Sequence, residues 1–266
     1  VAAAGAGRHS GRMRGWWREI AGLVLPAECA GCGAERCVLC EECREELTGR
    51  PRRAWPDPVP DGLPPVYAAA WYADAARSVL LAHKERGALV LAEALGGALA
   101  GAVRRAGAVG RGRGGRDAGG PLVLVPVPSA RSAVARRGHD PVRRLAVVAA
   151  GTLRRAGQDA RVAAALRQRR AVADQVGLAA SARCANVAGA MAVAGGPARR
   201  WSGGAPVVLV DDLMATGASL AEAARAVRAA GGRVVGAAVV AVPPRERPGG
   251  RYGSTDAGRM SSGTCR

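Results

Sequence analysis

The chain has 266 residues, enough to bury a sizeable core as one domain with an appendage or as two domains. Its formal charge of +18 attracts polyanions, but the basic residues are almost all Arg, with Lys84 the only Lys, and Phe is absent, so codon bias toward G and C accounts for part of that charge. Apolar runs such as residues 234–242 fall short of the roughly 20 residues a bilayer-spanning helix needs, which argues against membrane insertion.

The N-terminus is basic (Arg8, Arg12, Arg14, Arg18), and a short apolar stretch follows over residues 20–27. Glu19 lies against that stretch and cysteines follow at once, which argues against an export signal and for a cytoplasmic location; residues 1–14 read as a disordered leader, with Met13 a candidate translation start. Trp16 and Trp17 suit a short amphipathic helix packed on the body, which closes a first segment at residues 1–24.

Five of the seven cysteines then fall close together, at positions 29, 32, 37, 40 and 43. Cys29/Cys32 and Cys40/Cys43 are two C-x-x-C knuckles separated by seven residues. Each knuckle presents two thiolates from one tight turn, and four thiolates complete a tetrahedral Zn²⁺ shell, so residues 25–50 read as a structural zinc module. Cys37 with Cys40 is also a legitimate knuckle, and the symmetry of the outer pairs favours Cys40/Cys43. Cys184 and Cys265 read as ordinary thiols.

Residues 51–65 are Pro-rich and read as a linker. A strand is predicted over residues 66–72, followed by a helix from Asp74 with apolar positions at Val79, Leu80, Leu89, Leu91, Leu95 and Leu99 and a break near Gly87. Residues 107–120 are rich in Gly and Arg and read as a disordered loop. Residues 122–127 form a second buried-type strand, and Asp140-Pro141 starts a helix as cap and first helical residue. Residues 158–194 are harder to read, with strand-like stretches at 161–166 and 187–193. A last strand is expected over 233–242, with a loose tail over 246–266. Strands separated by helices argue for a parallel α/β sheet over residues 66–245.

The richest stretch is residues 207–219, VVLVDDLMATGAS. A run of Val and Leu suits a central parallel strand, and ligands bind past the carboxyl ends of such strands. The loop Ala215, Thr216, Gly217, Ala218, Ser219 can curl its N–H groups around a phosphate at the positive end of the next helix. Asp211 and Asp212 can hold a sugar diol and a Mg²⁺ ion. Phosphate, diol and metal on one turn describe phosphoribosyl pyrophosphate. Arg131, Arg136 and Arg137 follow strand 122–127 at the same sheet edge, as pyrophosphate ligands or as a solvated basic loop. Lys84 is either a point charge for an anion or a helix-surface residue, and His83 reads as a packing residue.

VDDLMATGAS resembles the signature of type I phosphoribosyltransferases, and of the adenine-specific ones in particular. With LVLPAECAGCG, LAHKERG, LVPVPSARSAVARRGHDPVRRLA and RRAVADQVGLAASARCANVAGAM, the chain resembles the ComF family, the phosphoribosyltransferase-like proteins of bacterial DNA-uptake operons. It departs from that family at Ala215, Met191 and His139. The resemblance implies a type I phosphoribosyltransferase-like parallel sheet flanked by helices and preceded by a zinc module. It implies pyrophosphate contacts from Arg131, Arg136, Arg137 and Lys84, while Gln175, Arg183 and Asn186 read either as ordering a mobile loop over the site or as capping local turns.

Three functions are compatible with it: a phosphoribosyltransferase acting on a nitrogenous acceptor with Mg²⁺, a non-enzymatic DNA-uptake factor, and a sensor of phosphoribosyl pyrophosphate. The partners these readings admit are phosphoribosyl pyrophosphate, single-stranded DNA or the uptake machinery, and a second copy of the chain in a homodimer.

Overall fold

A computed structural model describes residues 28–110, 120–170, 186–194, 201 and 204–244. The readings on the leader with Trp16 and Trp17, on Gln175, Arg183, Cys184 and Cys265, and on the tail lie outside the described residues.

The centre is a six-stranded sheet. Its order is β1 (Arg52–Ala54), β2 (Val66–Trp71), β8 (Arg233–Val242), β7 (Pro206–Leu213), β3 (Leu122–Pro126), β4 (Ala160–Val162). All neighbours are parallel except β1, which runs antiparallel to β2. The α/β fold expected from alternating strands and helices is therefore present. A separate antiparallel ribbon joins β5 (Leu166–Gln168) to β6 (Met191–Val193).

Side-chain alternation along β7 assigns its two faces. Val208 and Val210 join the core with Leu95 and Leu99 of α3 (Ala92–Gly110) and Leu145 and Leu153 of α5 (Pro141–Arg155). Helix α2 (Asp74–Glu85) covers the same side. Val207 and Leu209 face the second core, with Leu220 and Val227 of α6 (Ala218–Ala229) and Trp201. A strand apolar on both faces is what burial between two helical layers demands. The buried Glu222 of α6 accepts from the Met191 N–H at 2.9 Å and pairs with Arg225, which ties β6 to the helix.

Asp140 caps α5 as the sequence predicts, accepting from the Arg143 N–H at 3.1 Å with Pro141 in the first turn. The break expected near Gly87 is present, with α2 ending at Glu85, Gly87 at φ 68° and a 3₁₀ turn Leu89–Leu91 before α3. Two expectations are corrected. Residues 107–110, read as the start of a disordered loop, are the last turn of α3, because Ala102, Val103 and Ala106 are fully buried and packing overrides the weak propensity of Gly. Residues 51–65, read as a linker, contain β1, and their Pro56 and Leu63 lie against Gly217.

Helix α1 (Glu41–Leu47) begins within the second cysteine knuckle, with Cys40 as its N-cap and Cys43 in its first turn, and Leu39 and Leu47 join the same core as Ala75 and Val79 of α2. Among the described residues no helix is long and apolar enough to cross a membrane.

Candidate functional site

Asp211 and Asp212 stand near the carboxyl end of β7, at the mouth of a cleft of about 640 Å³. Alternation turns Asp212 to the α2 side of the sheet, where Lys84 meets it with Nζ 2.8 Å from Oδ2. Burial works against the Lys84 charge, but the charge and hydrogen bond of Asp212 outweigh it and hold the ammonium pKa above its usual value. The Asp211 carboxyl is pushed well above the usual carboxylate range, first by burial and then by the charge of Asp212. Its Oδ1 accepts from the Asp212 N–H at 2.9 Å.

The opposite wall is α4 (Arg131–Arg137), ended by Gly138 in the left-handed region at φ 74°. It is a seven-residue helix where the sequence reads as a loop. Arg136 and Arg137 both line the cleft, while the side chain of Arg131 lies outside the described residues. Arg137 is engaged by Glu85, with Nη2 to Oε1 at 2.8 Å and Nε to Oε2 at 3.2 Å. His83 is 1% exposed, its Nδ1 is 3.4 Å from the Ala88 carbonyl, and burial lowers its pKa, so it packs rather than facing the cleft.

Between β7 and α6 runs the loop Ala215, Thr216, Gly217. Gly217 sits at φ 73°, and a Cβ there would lie 3.2 Å from Pro56 Cγ and Leu63 Cδ2, so both conformation and space select Gly. Gly217 is the N-cap of α6 and provides no side-chain cap. The positive helix end thus lacks an N-cap side chain, a setting that favours an anion. Ser219, in that turn, also lines the cleft.

On the other side of the loop lies a smaller apolar cleft of about 250 Å³. Trp55, Trp71, Met214, Ala215, Val242 and Pro243 form most of its walls, with Arg53 and Asp57 at its polar points. The guanidinium of Arg52 lies 4.6 Å over the Trp71 ring.

The sulfurs of Cys29, Cys32, Cys40 and Cys43 all lie within 4.8 Å of one another, a donor set arranged to hold one metal ion. Cys37 is left out, its sulfur 3.7 Å from the Ala34 carbonyl. Gly31 is required by close approach, since a Cβ there would meet Cys43 Sγ at 2.6 Å. Burial raises the Cys29 pKa, but the surrounding N–H groups of Cys32, Cys40 and Gly31 prevail and bring it down to about 6. Burial and then the neighbouring thiols push Cys43 far up. One thiolate forms readily and the next is resisted by its neighbours, which is the electrostatic demand a dication satisfies.

The structure therefore gathers Asp211, Asp212, Lys84, Arg136, Arg137 and Ser219 in one cleft and the four cysteines in another cluster. Glu85 and the Trp55/Trp71 pocket were not singled out from the sequence, where nothing marks a Glu at a helix end or a Trp in a Pro-rich run. Residues 171–256 match the phosphoribosyl transferase domain, a stretch that includes β6, β7, α6 and β8. No curated protein matches the chain. The mostly parallel sheet and this domain match make the body a type I phosphoribosyltransferase-like fold.

Proposed function

We propose that the chain binds phosphoribosyl pyrophosphate with Mg²⁺ and transfers its phosphoribosyl group to a nitrogenous acceptor. The observation that carries this reading is the adjacency of Asp211 and Asp212 to the uncapped first turn of α6, in a cleft whose far wall supplies Arg136 and Arg137. In this reading Ala215, Thr216, Gly217, Ala218 and Ser219 hold the 5′-phosphate through backbone N–H groups. Asp211 and Asp212 hold the ribose diol and, as hard oxygen donors, fit Mg²⁺, which would neutralise charge on the departing pyrophosphate. Lys84, Arg131, Arg136 and Arg137 receive the pyrophosphate.

Displacement at the anomeric carbon passes through an oxocarbenium-like state, as in glycoside hydrolysis. The leaving group occupies the cationic cleft, so the acceptor approaches from the other side of the loop, where Trp55 and Trp71 form an apolar pocket suited to a planar ring. The four-cysteine cluster holds a structural Zn²⁺ in this reading, since four thiolates leave no open position. A cytoplasmic setting keeps those thiols reduced.

The order of a four-cysteine module and then a phosphoribosyltransferase-like body supports the ComF resemblance, and with it a role in DNA uptake through single-stranded DNA. One experiment separates the readings. Phosphoribosyl pyrophosphate with Mg²⁺ at 100 times its Kd should stabilise the protein by about 2.7 kcal/mol in a thermal shift. Asp211→Asn with Asp212→Asn should remove most of that shift. No shift with the unaltered protein rejects both enzyme and sensor. A shift without pyrophosphate release across a panel of bases favours the sensor. Single-stranded DNA binding that survives the double change and weakens steeply with salt supports the uptake role.

A further inference from the structure

Two cations of the cleft are already bound by carboxylates of the chain itself. Lys84 pairs with Asp212, and Arg137 pairs with Glu85 through both arms of its fork. Asp212 has a task in the proposed reaction. Glu85 has none, and an acidic group at the rim of a polyanion site weakens that site. Its two oxygens meet the guanidinium in the geometry a phosphate would use, side by side against Nε and Nη2. The members of the pair are not equally held: the Arg137 side chain is 12% exposed and that of Glu85 44%. Arg137 is the fixed partner, and Glu85 can turn into water when displaced.

We propose that Glu85 is an internal competitor of pyrophosphate. Its carboxylate fills the fork of Arg137 in the empty cleft and yields it to the polyanion. The inference rests on the reading of this cleft as the donor site. Every pyrophosphate that binds must break the Glu85–Arg137 pair, so donor affinity is lowered, and the returning carboxylate assists release of the product. A glutamate that only braced Arg137 would act in the opposite sense, because its loss would disorder the arginine and weaken binding. The sign of the effect therefore distinguishes competitor from brace.

The test is titration calorimetry of inorganic pyrophosphate with Mg²⁺, at fixed ionic strength, into the full chain and its Glu85→Gln, Arg137→Gln and doubly substituted forms. Glu85→Gln should bind pyrophosphate about fivefold to tenfold tighter, tenfold being about 1.4 kcal/mol. The gain should fall below twofold when Arg137→Gln is also present, because the competition runs through that fork. In turnover, KM for phosphoribosyl pyrophosphate should fall and product inhibition by pyrophosphate should tighten. Glu85→Ala serves as the second variant should the Gln form fold poorly. Weaker binding by both variants overturns the proposal in favour of a brace. A gain that persists without Arg137 overturns it in favour of a general field effect. Equal binding by Glu85→Gln and the unaltered chain refutes the competitor alone. Failure of the unaltered chain to bind pyrophosphate at all refutes the donor-site reading with it.

Discussion

Replacing Lys84 with Met keeps the aliphatic stem and removes the ammonium. Asp212, with a side chain 8% exposed, then loses the partner 2.8 Å away. Breaking a buried ion pair from one side costs about 3–5 kcal/mol. Lys84 is 34% exposed, however, so water screens the pair and the expected loss is about 1–2 kcal/mol. At roughly 2–4 °C per kcal/mol for a domain of this size, Tm should fall by about 2–8 °C. Adding Asp212→Asn removes the stranded charge, so the double variant should be more stable than Lys84→Met alone.

The pH dependence follows from the raised Lys84 pKa. Stabilisation by a cation of this kind is complete below the unfolded lysine value of about 10.4 and is lost as pH rises through the higher folded value. On the alkaline side, the Tm difference between the unaltered chain and Lys84→Met should therefore shrink only in strongly alkaline buffer. Calorimetry on the three proteins is the assay. An unchanged Tm in Lys84→Met, or a double variant less stable than the single, would refute the reasoning.

Asp211→Asn should raise the Tm of the ligand-free protein at neutral pH, because it removes a carboxylate that burial and Asp212 disfavour while Oδ1 still accepts from the Asp212 N–H. An acid whose folded pKa is raised costs stability as pH climbs from its unfolded value of about 3.9 toward the folded one, so the gain should vanish in acid below that window. A lower Tm at neutral pH would count against it. A chelator, acting on the Zn²⁺ proposed for the cysteine cluster, or Cys43→Ser, should lower the Tm of the whole protein in a single transition, since Cys29, Cys40, Cys43 and Leu47 share one core with Ala75 and Val79. A separate low-temperature transition in the calorimetric trace would show the cysteine module to be independent.

Local rules made part of this architecture legible. The Val/Leu run of β7, the paired Asp and the Thr-Gly loop lie within thirteen residues, and a strand–loop–helix needs no distant information to be recognised. The Asp140-Pro141 helix start is equally local, and the structure keeps it. The C-x-x-C spacing left Cys37/Cys40 open beside Cys40/Cys43, and the symmetry of the outer pairs favoured the four cysteines whose sulfurs lie together, Cys29, Cys32, Cys40 and Cys43. Contacts across the fold were not legible. Glu85 and Arg137 lie 52 positions apart, and their pairing depends on how α2 and α4 are seated. Trp55 gave no sign of lining a pocket, because a Pro-rich composition marks irregular backbone and says nothing of what that backbone covers. The helical turn at residues 107–110 was missed because glycine content outweighed, in a local reading, burial that only the sheet supplies.

Helix α2 has a further consequence, for tolerance to insertion and deletion. Its first turn packs on the cysteine module, where Glu46 accepts from the Ala76 N–H at 3.4 Å. Its last turn carries Lys84 and Glu85 into the cleft beside Asp211 and Asp212. Twelve residues at 1.5 Å each make it a bar of about 18 Å between the two. One residue added between Val79 and Lys84 would turn both cleft side chains by about 100° relative to the cysteines and carry them off Asp212 and Arg137. Loops elsewhere can lengthen at little cost. Along this helix the count of residues is itself part of the site, and natural length variation in related chains should stop at its ends.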